Sequence, residues 1–98
     1  MATKEYRGRQ QIVAKILSTI KDSGDEGTTR TAIMYKSFLS YAQLKEYLSF
    51  LLEKGLINEI SKQTEDNRNN QKNVYKITGR GLRLLEISQE IENLVGLD

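Results

Sequence analysis

Ninety-eight residues carry 15 Lys and Arg against 13 Asp and Glu, a net charge of +2, with no Cys, no His and no Pro. These counts exclude disulfides, thiol nucleophiles, imidazole bases, zinc fingers and most transition-metal sites, and no cofactor is expected. The length fits one domain with a small core. The polar start MATKEYRGRQ lacks a signal-peptide core, and no apolar run approaches the roughly 20 residues that span a bilayer, so the expected address is cytoplasmic, without a membrane partner.

Charge is unevenly spread. Lys4, Arg7, Arg9, Lys15 and Lys21 against Glu5 make residues 1–21 basic, and residues 1–8 are read as a flexible basic N-terminus. Lys62, Arg68, Lys72, Lys76, Arg80 and Arg83 against Glu65 and Asp66 make a second basic region, followed by an acidic end with Glu86, Glu90, Glu92 and Asp98.

From Arg9 to Lys21, Ile12, Val13, Ile16, Leu17 and Ile20 fall on one face of a helix. Ser23 to Gly27 is a loop with two glycines. Thr28 and Thr29 could make a very short strand, and Thr31 is expected to cap a second helix that runs to about Phe38, with Ile33 and Met34 as its apolar contacts. Ser40 and Gln43 then form a capping box for a third helix. Its stripe is Leu44, Leu48, Leu51 and Leu52, with Tyr47 at the edge. Gly55 after Lys54 is the expected left-handed stop, and Leu56 packs back.

Ile57–Lys62 and Asn73–Ile77 read as two short strands of a hairpin with a polar connection, the ten residues from Thr64 to Asn73 carrying no apolar side chain. That connection exceeds the usual two to about five residues. Thr78 can cap a last helix. Along it Leu84, Ile87, Ile91 and Leu94 are spaced 3, 4 and 3, the rhythm of a coiled-coil seam, while Leu82 and Leu85 could pack into the domain. The fold class expected is α+β, mostly helical. It is a winged helix-turn-helix with three helices, a β-hairpin wing and a C-terminal dimerisation helix. The divisions are a domain at residues 9–78, its wing at about 57–77, and the last helix at 79–98.

In such a fold the N-terminal part of the third helix enters the major groove of duplex DNA. Its exposed face would carry Tyr41, Ala42, Gln43, Lys45, Glu46, Ser49, Phe50 and Glu53. Ala42 permits close approach, Gln43 can pair with adenine unless capping holds it, and Lys45 can reach guanine or phosphate. Thr29, Arg30 and Thr31 at the start of the second helix suit a phosphate contact, although capping alone also explains Thr31. Ser40 and Lys36 join the expected contacts. In the hairpin, Lys62, Arg68, Asn69 and Lys72 could follow a backbone or enter a minor groove. The acids Asp25, Glu26, Glu65 and Asp66 lie in polar loops that would not perturb their pKa, so an enzyme is not expected. Glu46, Phe50 and the acidic end leave a second reading open, a winged helix that binds protein rather than DNA.

Arg30-Thr-Ala-Ile-Met-Tyr-Lys-Ser-Phe-Leu-Ser-Tyr41, Leu48-Ser-Phe-Leu-Leu-Glu-Lys-Gly-Leu-Ile57 and Tyr75-Lys-Ile-Thr-Gly-Arg-Gly-Leu82 resemble a family of small archaeal winged-helix DNA-binding proteins. The resemblance runs from about Gln10 to Glu92. It implies a homodimer joined by an antiparallel coiled coil of the last helices, in a chromatin-associated or transcription-regulating protein of the nucleoid. It also implies that the third helix and the wing bind duplex DNA, without strong sequence preference in the abundant members. The low net charge, the acids in the wing and the short last helix favour a regulator or a weak nonspecific binder over a packaging protein.

Overall fold

The computed structural model describes residues 8–63 and 71–95. Helix α1 (Arg9–Asp22) opens where the Gln11 carboxamide accepts from the Gly8 N–H at 3.0 Å. Its expected stripe turns inward: Val13, Ile16, Leu17 and Ile20 are buried and Ile12 packs beside them. Each such side chain contributes about 1.5–3 kcal/mol by leaving water.

A 3₁₀ turn at Gly24–Glu26 follows, then Gly27 at φ +79°. A Cβ at Gly27 would lie 3.0 Å from the Tyr75 carbonyl oxygen and 3.1 Å from Val74 Cβ, so glycine lets this loop close onto the hairpin.

Helix α2 (Arg30–Ser37) is capped by Thr29, whose hydroxyl accepts from Ala32 N–H at 3.2 Å. The expected cap, Thr31, is instead an exposed residue of the first turn. The reason is long-range. Thr28 exchanges two backbone hydrogen bonds with Tyr75, at 3.1 and 2.8 Å, which holds the chain extended up to Thr29. The short strand expected at Thr28 and Thr29 is thus an isolated bridge at Thr28 alone. Ile33 is fully buried and Met34 partly so.

The turn into α3 (Tyr41–Glu53) passes through Phe38, at φ +57° in the left-handed region and 81% exposed. A non-glycine residue there costs about 1–2 kcal/mol, and little burial of the ring offsets it. Phe38→Gly is therefore expected to raise stability by about 0.5–1 kcal/mol, part of the relief being cancelled by glycine's greater freedom when unfolded. A denaturant melt that shifts to lower midpoint would contradict this.

Helix α3 starts with the expected reciprocal box: Ser40 Oγ accepts from Gln43 N–H at 3.2 Å and Gln43 Oε1 accepts from Ser40 N–H at 3.1 Å. It stops as expected at Gly55 (φ +73°), where Gly55 and Leu56 donate back to the Leu52 and Leu51 carbonyls at 3.1 and 2.9 Å. Leu44, Leu48 and Leu51 are buried, with Leu52 and Tyr47 packed against them.

Strands β1 (Ile57–Gln63) and β2 (Gln71–Ile77) pair antiparallel, in the register Ile57↔Ile77 through Gln63↔Gln71. Both run further toward the tip than expected. The polar tip, residues 64–70, lies outside the described residues, as does the N-terminus through residue 7. Val74 and Tyr75 point to opposite faces, yet both are buried: Tyr75 joins the core and Val74 meets Gly27.

Helix α4 (Gly79–Val95) is capped by Thr78, whose hydroxyl accepts from Gly81 N–H at 3.0 Å. The same oxygen lies 2.8 Å from the Gly55 carbonyl and 3.0 Å from that of Leu56, and can donate to either. Leu85 is buried in the core. Leu84, expected on a free seam, is half-buried against the core, because the first turns of α4 are docked there. Leu82, expected to pack inward, is 36% exposed. Beyond this base Ile87, Ile91 and Leu94 are 42%, 54% and 83% exposed, an apolar stripe left open among the described residues.

Candidate nucleic-acid interface

The N-terminal end of α3 stands open. Tyr41, Ala42, Gln43 and Lys45 are exposed, and Ala42, Lys45, Glu46, Ser49, Phe50 and Glu53 line a shallow open surface along the helix. Phe50 is 40% exposed, with Lys54 Nζ 5.9 Å above its ring. Gln43 commits one lone pair of its carbonyl oxygen to the cap, so a paired contact with an adenine would have to share that oxygen or open the cap. Ser40 Oγ serves the cap as an acceptor, which leaves its hydroxyl proton to donate. Lys36 and Thr31 are exposed on α2, and Thr29 is its cap.

Arg30 is the most heavily engaged of the expected contacts. As the first residue of α2 it is an expected phosphate contact, and in the free chain its guanidinium is already engaged. Nη1 donates to Tyr41 Oη at 3.2 Å and Nη2 to Tyr75 Oη at 3.1 Å. The guanidinium also sits 5.9 Å from the Tyr41 ring centroid, and Nε is buried with no partner among the described residues.

The chain of bonds continues into the wing. Tyr75 Oη donates to Glu59 Oε2 at 3.2 Å, and Asn73 Nδ2 donates to the same oxygen at 2.9 Å. Ser61 Oγ donates to Asn73 Oδ1 at 3.2 Å. The register explains the meeting, since Glu59 pairs with Tyr75 and Ser61 with Asn73.

Burial pushes the Tyr75 hydroxyl above its ordinary pKa, with Arg30 opposing. The hydrogen bond to Tyr75, with the attraction of that oxygen, raises the already high pKa of Arg30. Both groups therefore keep their protons at neutral pH, so a cation and a neutral phenol stand in line with the Glu59 side chain.

Tyr75, Glu59 and Asn73 carry no role that residue type and spacing alone suggest. Glu59 and Tyr75 face each other only in a register that a ten-residue polar run conceals. Of the expected wing contacts, Lys62 and Lys72 occupy paired register positions. Arg68 and Asn69 lie outside the described residues.

A family model described as winged helix-turn-helix matches residues 6–96. The chain belongs to this family. No curated protein matches the sequence. Among solved structures, a mutant of S. aureus MepR is 18% identical and superposes with a TM-score of 0.73 over 92% of this chain and 61% of that one. The chain thus spans about three fifths of that MepR chain's length. Sso10a-2, a DNA-binding protein from Sulfolobus solfataricus, is 24% identical, with a TM-score of 0.68 over 92% of this chain and 83% of that one. MepR in a complex with DNA is 19% identical, with a TM-score of 0.69 over 88% and 66%. At these identities the likeness is one of fold: the winged helix-turn-helix, with α2 and α3 as its two helices and β1–β2 as its wing.

Proposed function

We propose that this winged-helix protein is a homodimeric, non-enzymatic binder of duplex DNA. It acts as a transcriptional regulator or as a weakly sequence-specific nucleoid protein of the archaeal kind. The observation that carries the reading is the exposed N-terminal end of α3, with Tyr41, Ala42 and Lys45 open, beside a hairpin whose register pairs Lys62 with Lys72. A helix so presented suits the major groove, and a basic hairpin suits the flanking backbone. The family membership and the likeness in fold to MepR, solved with DNA, support it. The division of labour follows: residues 9–78 hold the DNA contacts, and the helix from residue 79 pairs two copies through Ile87, Ile91 and Leu94, with Leu84 at the base. Among the described residues no helix is long and apolar enough to cross a membrane.

Affinity for duplex DNA should fall linearly in a plot of log affinity against log salt, because each phosphate neutralised releases counterions. Replacing Lys45, Arg68 and Lys72 together by alanine should weaken binding and flatten the slope by up to about 2.7, about 0.9 for each phosphate that is no longer neutralised. Equal affinities for random and genomic duplexes would favour the nonspecific form. No binding even at low salt would remove the reading. It would leave a protein-binding winged helix, which the exposed Phe50 beside Glu46 would serve.

A further inference from the structure

We propose that Arg30 is a positioning residue: it sets the wing against the N-terminal end of α3 through Tyr75 and Tyr41, and does not itself neutralise a phosphate. The proposal deepens the DNA-binding reading and rests on it for its effect on affinity.

A guanidinium grips a phosphate by one of two edges, the end with both Nη atoms or the side with Nε and one Nη. In Arg30 the end is turned to two tyrosine hydroxyls, and the Nε of the side edge is buried. The two hydroxyls come from different elements. Tyr41 is the first residue of α3 and 54% exposed, whereas Tyr75 lies in β2 and is 1% exposed. Tyr75 in turn donates to Glu59 of β1, so three bonds join the recognition end of α3 to both strands of the wing.

Only a planar fork with donors at a fixed angle reaches both hydroxyls at once. A lysine ammonium supplies the charge without the fork. The two roles therefore separate. Charge alone, which serves a single-point phosphate contact, survives Arg30→Lys, whereas a clamp does not; a forked phosphate contact would weaken too, and Tyr75→Phe tells it from the clamp. Tyr75 is too buried to touch DNA, so Tyr75→Phe acts on binding only through the clamp. If Arg30 were a phosphate ligand, freeing Nη2 would hold or raise affinity.

The experiment is a salt titration of duplex DNA binding with the full chain, wild type against Arg30→Lys, Tyr75→Phe and the double variant. The expected result is a loss of about tenfold for each single variant, the size of one net hydrogen bond. The salt slope should stay unchanged, and the double variant should be no weaker than the worse single. A wild-type affinity for Arg30→Lys, an unchanged or raised affinity for Tyr75→Phe, or additive losses would overturn the proposal.

Amide NMR of free Tyr75→Phe gives a readout that needs no DNA. Tyr41 and Ala42 should shift although the substitution is in β2, and shifts confined to the hairpin would overturn the clamp. If wild type binds no DNA while Tyr41 and Ala42 do shift, the DNA reading fails and the clamp stands as structure.

Discussion

Gly81→Ala should destabilise the chain by about 3 kcal/mol, a large fraction of what a domain of this size holds. The sign is the point. At an ordinary helical position the same change stabilises by up to about 1 kcal/mol, since alanine is the better helix former. Gly81 is helical and buried in the first turn of α4, and a Cβ there would stand 2.2 Å from the Leu56 carbonyl oxygen and 2.8 Å from Ile77 Cγ1. The Leu56 carbonyl cannot retreat cheaply. It accepts from Thr78 N–H at 3.1 Å and lies beside the Thr78 hydroxyl, at the corner where α3 ends and β1 begins. Equilibrium denaturation reads the effect directly, and a variant as stable as wild type would show that α4 is not seated as described. Gly79→Ala is the control: a Cβ there meets nothing within 4 Å, so little change is expected.

Ile87→Asp with Ile91→Asp should leave a folded monomer. Both side chains are exposed in the single chain, at 42% and 54%, so charge there costs the fold little. In a pair joined along α4 the same carboxylates would be buried without partners, at several kcal/mol. Sedimentation at tens of micromolar, with circular dichroism to check the fold, decides between the outcomes. A wild-type chain that sediments as a monomer would remove the dimer, and a variant that stays dimeric would move the seam elsewhere. Leu84 is the wrong site for this test. It rests against the core, and an aspartate there would damage the domain and imitate loss of pairing.

What could be read in the sequence follows the range of the forces involved. The Ser40–Gln43 box, the Gly55 stop and the Thr78 cap are hydrogen bonds between residues close in sequence, and each was legible from residue type and spacing. The stripe of α1 was legible because a helix repeats faithfully. The cap of α2 was not, because Thr29 and Thr31 are equally good hydroxyls and the choice between them depends on Tyr75, far along the chain. The Arg30 clamp was hidden for the same reason. An arginine at a helix start suggests an anion, and only the fold brings two tyrosines to it first. On α4 the 3-4-3 spacing places Ile87, Ile91 and Leu94 in one exposed stripe, but spacing alone does not tell which residue of a stripe meets its own domain and which stays exposed.

The seating of α4 has a consequence for any evolution or redesign of its length. Thr78 caps the helix, and Gly81 and Leu85 seat its first turns on the domain, so its free end leaves in a set direction. Each residue of helix advances about 1.5 Å and turns about 100°. One residue inserted between Leu85 and Ile87 would hardly lengthen the helix, yet it would swing the stripe a quarter-turn or more away from its present heading. In a pair of chains joined along α4, such an insertion would re-aim one domain against the other. The helix works as a ruler graduated in angle as well as in length, and changes of three or four residues, about one turn, are the ones it can absorb.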